Sequence, residues 1–291
     1  MDQLLQTLLT GMTTGSIYAI AALGFSIVFN ATKVTNFANG EFVMIGGLLS
    51  ASLILGLGLH PILAILLACA ATTLLGALID ILGIQHARRK NVLSFAMITI
   101  GLGITYRGFM QTFVSSEILF PPVLGGIPTV FVGDLYLSGQ NIWILLLLAV
   151  VSAALSVMFL RTKVGKAMRA ASQQPRAAML CGIDPRLMST LAFGMAGLLG
   201  AVAGCLIAPI GGAFYGFGLF YGLKGFAAAV LGGFGSSVGA VVGGLLIGVI
   251  EATTASYLSS DYKDAAGLLV LIAVLLLRPS GLFGRVEARR V

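Results

Sequence analysis

Ile142-Trp143-Ile144-Leu145-Leu146-Leu147-Leu148-Ala149-Val150-Val151-Ser152-Ala153-Ala154-Leu155-Ser156-Val157-Met158-Phe159-Leu160 runs for 19 residues without a charge, and Arg161 and Lys163 follow at once. A helix of about 20 apolar residues is what a bilayer's hydrocarbon core requires. Residues 4–29, 42–59, 62–82, 92–114, 187–210 and 265–277 read the same way. Residues 213–256 are also apolar and Gly-rich, but too long for one crossing. They break near Gly232-Gly233-Phe234-Gly235-Ser236-Ser237 and read as two crossings, the first open to discontinuity. The sequence therefore predicts an all-α polytopic membrane helix bundle of eight or nine spans, with discontinuous or re-entrant segments. It reads as one domain over residues 1–291, with no soluble extension. The N-terminus lacks a basic region and a cleavage site, so it is expected to be a first span and not a removable signal.

Composition agrees. Of the 291 residues, 58% are hydrophobic and 9% charged, against about 25% charged in ordinary soluble domains. A soluble fold of this length has too little interior to hide that much apolar surface. The 39 glycines also suit helices that approach closely in lipid. The three cysteines, Cys69, Cys181 and Cys205, have no metal or redox spacing; Cys69 and Cys205 lie in apolar runs and read as buried thiols.

The net charge of +7 is not spread as a nucleic-acid-binding surface would spread it. Arg88, Arg89 and Lys90 form one basic cluster. Arg161, Lys163, Lys166, Arg169, Arg176 and Arg186 form a second. Arg278, Arg285, Arg289 and Arg290 form a third, and together they hold 13 of the 17 Lys and Arg residues. Residues 115–141 contain no Lys or Arg, only Glu117 and Asp134. Basic loops stay in the cytoplasm. Nine crossings put all three clusters inside, with the N-terminus outside and the C-terminus cytoplasmic. Eight would put the four C-terminal arginines outside.

No catalytic constellation or metal site is visible. His60 and His86 lie at opposite ends of one span, and no Gly-rich loop followed by Lys-Ser or Lys-Thr could cradle a phosphate. No cofactor is expected in this chain; if ATP drives it, another subunit hydrolyses the ATP. Charges within spans are costly and so mark function. Glu41 follows Asn36-Phe37-Ala38-Asn39-Gly40, a polar opening to an apolar span. Two readings fit: an interrupted helix lining a cavity, or a capped helix start with Glu41 at its positive end. Asp80 is expected to pair with Arg88 or Arg89, Arg107 to reach outward, Lys224 to sit at the membrane interface, and Glu251 to face protein or water. A proton-coupled carrier would need more buried carboxylates or histidines, and a channel would present a repeated filter element.

Residues 42–82 resemble residues 226–256 in pattern, each a Gly-interrupted half followed by a small-residue helix. In nine crossings the copies face opposite ways, as transporter repeats do. The four-residue spacing of Gly235, Gly239 and Gly243, of Gly244 and Gly248, and of Gly200 and Gly204 puts glycines on single helix faces. Helix packing within the subunit accounts for this more simply than a dimer seam.

The longest cytoplasmic stretch, about residues 161–187, predicts two short helices. Gly165 to Ser172 suits an amphipathic helix; Pro175 opens a second at its first turn, and Gly182 ends it. Such a pair beneath a bundle is either a solvated loop or a docking knob. The run Gly165…Met168-Arg169-Ala170…Gln174-Pro175…Ala178…Gly182-Ile183-Asp184 resembles the coupling segment of branched-chain amino-acid ABC permeases. So do Val34-Thr35-Asn36-Phe37-Ala38-Asn39-Gly40-Glu41-Phe42, residues 222–236, and Leu277-Arg278-Pro279-Ser280-Gly281-Leu282-Phe283-Gly284. The likeness covers nearly the whole chain and is closest to the shorter of the two paired permeases. Asn39 stands where the family often has histidine.

The resemblance implies a permease of the bacterial inner membrane, embedded in lipid and paired with a second homologous permease. Two ATP-binding subunits dock below, and a periplasmic substrate-binding protein delivers Leu, Ile or Val. Family members also carry other amino acids, urea, short amides or small aromatic acids. It implies ATPase coupling through Gly165, Arg169, Gln174, Pro175, Arg176, Gly182, Ile183 and Asp184. The translocation pathway would run beside Asn36, Phe37, Asn39, Gly40, Glu41, Gly232, Gly233 and Gly235.

Overall fold

The structure, a computed structural model, describes residues 2–86, 92–123, 130–132 and 135–284. The helices are α1 (Asp2–Thr32), α2 (Asn39–Leu57), α3 (Pro61–Leu78), α4 (Val92–Phe113), α5 (Gly139–Arg161), α6 (Lys163–Gln173), α7 (Pro175–Leu180), α8 (Pro185–Gly211), α9 (Phe217–Gly232), α10 (Ser237–Tyr257) and α11 (Lys263–Leu277). A π-helical turn, Ile79–Ile84, extends α3. Among the described residues seven helices are long and apolar enough to cross a membrane. The apolar α9 and α11 have 16 and 15 residues, about 24 and 22 Å at the helical rise. Every predicted span is thus a helix, and residues 213–256 divide into α9 and α10 as expected. The sequence did not reveal a small hairpin, β1 (Val130–Val132) paired antiparallel with β2 (Leu135–Leu137). It sits at the end of the bundle away from α6 and α7, where Gln6 bonds both the N–H and the C=O of Tyr136. The basic runs 88–90 and 285–290, and Asp134, lie outside the described residues.

α1 is the axis. Ile17, Ile20, Leu23 and Ile27 are fully buried, and α5, α8, α9 and α10 all pack on it. α4 and α5 are peripheral, and Ile104, Phe113, Val150 and Leu160 face outward as lipid-facing residues should. Lipid supplies no hydrophobic drive between helices, so close backbone packing through small residues must hold them. Gly11 and Gly15 of α1 meet Gly244 and Gly248 of α10; a Cβ on Gly15 would lie 2.7 Å from the Gly244 carbonyl oxygen. Gly200 and Gly204 of α8 lie against Phe42 and Val43 of α2, and Gly239 and Gly243 lie against Gly232 and Ala228 of α9. The four-residue glycine spacing therefore serves contacts within the chain. Gly235 is the exception: it precedes α10, in a turn at φ +85°.

A test follows from that crossing. Gly15→Val should cost about 1–3 kcal/mol by overpacking, seen as a lower melting temperature of the purified protein. Gly101→Val should leave it unchanged, because a Cβ at Gly101 on α4 meets nothing within 4 Å.

The chain is interrupted twice near the end that carries α6 and α7. After Thr32, residues 33–38 turn back into the bundle. α2 then starts at Asn39, whose amide donates to the Ala21 carbonyl at 3.1 Å. Ala21 is 11 residues before the end of α1, about 16 Å of helix, so α2 begins deep inside. The second break, residues 233–236, is stitched to the tip of α1. There Asn30 donates to the Gly235 carbonyl at 2.8 Å, and Phe29 and Phe234 stack 5.1 Å apart. The C-terminal segment closes over it: the N–H groups of Leu282 and Phe283 donate to the carbonyls of Leu231 and Gly232 at 2.9 and 3.0 Å. Gly233 and Gly281 both have positive φ, +96° and +78°, and abut directly. Side chains there would be strained and would separate the two segments.

Candidate functional site

Three features stand out: a helical knob at one end, charges buried within the spans, and a cavity toward the other end.

The knob is α6 and α7. The Thr162 side chain caps α6 by accepting from Gly165 N–H at 3.2 Å. Gly165 lies so close to α5 that a Cβ would be 2.6 Å from Phe159 Cα. The Arg169 guanidinium donates to the Phe159 carbonyl at 2.7 Å, and Met168 is fully buried. α6 is thus fixed to the last turn of α5. Pro175 opens α7, and Gly182 ends it at φ +78° with Ile183 N–H returning to the Ala178 carbonyl at 3.0 Å. Asp184 then caps α8 by accepting from Arg186 N–H at 2.9 Å. Of the predicted coupling residues, Gly165, Arg169, Pro175, Gly182, Ile183 and Asp184 build the knob, while Gln174 and Arg176 are exposed on it. Three exposed apolar residues were missed: Val164 on α6, and on α7 Met179 and Leu180, the last with 91% of its surface free.

The span charges are paired, differently from expectation. Arg107 does not reach outward: it bonds Glu41, which is 4% exposed, and so ties α4 to the start of α2. Asp80, on the π-helical turn, is fully buried. Its partners are neutral: Gln85 at 2.7 Å, Ser189 at 2.6 Å and Thr190 at 2.7 Å. Arg88 and Arg89, its expected partners, lie outside the described residues. Lys224 is not at the interface. Its ammonium lies 2.8 Å from Glu251, 2.7 Å from Asp264 and 3.1 Å from the Tyr18 hydroxyl, which itself donates to Glu251 at 2.8 Å. This cluster joins α1, α9, α10 and α11 at mid-depth of α1.

The predicted pathway residues are mostly packed in. Asn39 is fully buried and Asn36 nearly so; Gly40 abuts Gly218 and Gly222 of α9. Gly232, Gly233 and Gly235 form the stitched turn described above. Phe37 is 45% exposed and stacks on Phe226. A cavity of about 440 Å³ lies elsewhere, between α1, α9, α10 and α11, with the Lys224 cluster in its wall. A smaller one of about 190 Å³ lies beside Asp80, Thr35 and Thr99. The linings of these two cavities include none of the eight predicted residues. Charge order along the sequence could not have found the larger one, because Tyr18, Lys224, Glu251 and Asp264 meet only through the packing of four separate helices.

Comparison with known proteins agrees with this architecture. Residues 7–277 match the family described as branched-chain amino acid transport system, permease component. The high-affinity branched-chain amino acid transport system permease protein LivH of Salmonella typhimurium is 34% identical, covering 99% of this chain and 97% of its own. The corresponding protein BraD of Pseudomonas aeruginosa is also 34% identical, over 99% and 98%. A solved structure of PsaBC from Streptococcus pneumoniae shares the fold alone: TM-score 0.50 at 14% identity, covering 96% of this chain and 91% of that one. The chain belongs to the family of branched-chain amino acid transport permeases.

Proposed function

We propose that this chain is one permease of an ATP-driven importer that takes branched-chain amino acids from a periplasmic binding protein into the cytoplasm. A second homologous permease and two ATP-binding subunits complete the machine. The observation that carries this reading is the α6–α7 knob: rigidly tied to the spans, tipped with exposed Met179 and Leu180, in a chain without a phosphate-binding loop of its own. The substrate class follows the relatives. The basic residues of the knob and the C-terminus put that end in the cytoplasm with nine crossings.

The knob works as a lever. A push on α7 passes through buried Ala178 and the Asp184 cap to α8, and through α6 to α5. Both helices pack on α1. ATP binding drives the two permeases from inward- to outward-facing, and hydrolysis resets them. The available free energy is the difference in nucleotide affinity between the two states. Asn36, Phe37, Asn39, Gly40, Glu41, Gly232, Gly233 and Gly235 close the pathway at its knob-side end, where the chain breaks between α1 and α2 and between α9 and α10.

Proteoliposomes holding the five-part assembly should import leucine on ATP, and those holding this chain alone should not; uptake by the chain alone would end the proposal. Orientation has its own check. Cys181 is the exposed thiol of the knob, while Cys69 and Cys205 are buried. A membrane-impermeant maleimide should label the protein only after cells are permeabilised.

A further inference from the structure

We propose that the cavity between α1, α9, α10 and α11 is a transit site for an apolar α-amino acid, and that Lys224, Glu251 and Asp264 read its two charges. The inference rests on the import reading above and adds to it the residues that meet the substrate.

Three charges at mid-depth of a membrane bundle need a reason. Holding helices together is one, but Glu41 and Arg107 do that with a single pair, and Asp80 does it with neutral donors. The Lys224 cluster differs because it borders open space. The cavity measures about 440 Å³, within the usual range of about 300–1,000 Å³ for small-molecule sites. It extends from the cluster toward Thr10, Phe214 and Ala255, at the end away from the knob. The Asp264 side chain is 56% exposed and that of Lys224 is 19% exposed, so both can be reached.

The chemistry is complementary to a zwitterion. Lys224 holds two carboxylates of its own chain, Glu251 and Asp264. An entering amino acid can exchange into this set: its carboxylate takes the ammonium of Lys224, and its ammonium takes Asp264, leaving Glu251 held by Tyr18. Lys224 and Asp264 each keep an opposite charge throughout and Glu251 keeps its bond from the Tyr18 hydroxyl, which limits the cost of moving charge through a low-dielectric site. Phe217 and Phe220 on the same wall offer apolar surface to the substrate's side chain. A molecule lacking either charge would leave Lys224 or Asp264 without compensation for the exchange.

The test uses the assembled transporter in proteoliposomes, with Cys181→Ser removing the exposed thiol and Ala255→Cys placing one in the cavity wall. The readout is the rate of modification by a methanethiosulfonate reagent. Leucine should slow it about tenfold, while 4-methylpentanoate (no ammonium) and 3-methylbutylamine (no carboxylate) should have little effect, as expected when one charge-assisted hydrogen bond is missing. Lys224→Met should remove the protection and cut leucine uptake, and Lys224→Arg should restore both. If Lys224→Met fails to accumulate, Asp264→Asn, at an exposed position, decides instead. Equal protection by the two analogues, or full leucine protection in Lys224→Met or Asp264→Asn, overturns the site. Leucine import without protection of Ala255→Cys overturns it too and leaves the importer reading standing. Absence of leucine import by the unmodified assembly overturns the importer reading itself.

Discussion

Replacing Arg107 with methionine should destabilise the permease by about 3–5 kcal/mol, the usual cost of leaving a buried charge without its partner. The Glu41 carboxylate is 4% exposed and enclosed by α2, Gly103 of α4 and the Arg107 guanidinium. Its place in the first turn of α2 provides some favourable dipole field, but too little to hold an anion at that depth alone. α4 depends on the same contact. It is otherwise peripheral, and among the described residues a second polar tie, to α2's approach, is the Thr99 hydroxyl accepting from Phe37 N–H at 3.2 Å. The loss should appear in the unfolding midpoint of the purified protein and in its level in membranes. The double variant Glu41→Gln/Arg107→Met should recover most of it, because a neutral amide costs far less to bury than an orphaned carboxylate. Equal stability of Arg107→Met and wild type would mean that the pair does not hold α4.

The spans were legible because the signal for a membrane helix is local: length, apolarity and the charge of its flanks are all read from one window. The knob was legible for the same reason. Pro175, Gly182 and Asp184 act within a turn or two of their own positions, and α6, α7 and the start of α8 form where those residues predict. The buried charges were not. Arg107 and Glu41 are 66 residues apart, and Lys224 and Asp264 are 40 apart; which charge meets which depends on how whole helices pack. Reading Arg107 as reaching outward and Lys224 as interfacial followed each residue's position along its own segment, and tertiary pairing overrode both. The glycines stand between these cases. Their spacing gave the packing faces, but not that Gly244 and Gly248 would meet Gly11 and Gly15 of α1. The re-entry of residues 33–38 shows the same division. The polar run before Phe42 signalled either an interruption or a capped helix start; the fold starts α2 there without a side-chain cap, and its depth, beside Ala21, came only from the fold.

Leu180→Glu should uncouple the transporter while leaving the permease folded in the membrane. Leu180 is 91% exposed at the tip of α7, on the end that the positive-inside rule places in water. A leucine so exposed contributes nothing to this chain's own core, so its loss should not move the unfolding midpoint. Buried in a groove of an ATP-binding subunit, it would act as an apolar anchor, and a carboxylate there would be desolvated without a partner. A penalty of about 2–3 kcal/mol corresponds to roughly 30- to 150-fold weaker association. Co-purification of the ATP-binding subunits and substrate-stimulated ATP hydrolysis should both fall accordingly, with Leu180→Met close to wild type. Arg169→Ala should behave differently. Arg169 holds α6 to the Phe159 carbonyl, so its removal loosens the lever and not the grip. The subunits should still co-purify, and hydrolysis should continue with less uptake per ATP. If Leu180→Glu retained its partners and full coupling, the knob would be a solvated loop and the motor would have to hold the permease elsewhere.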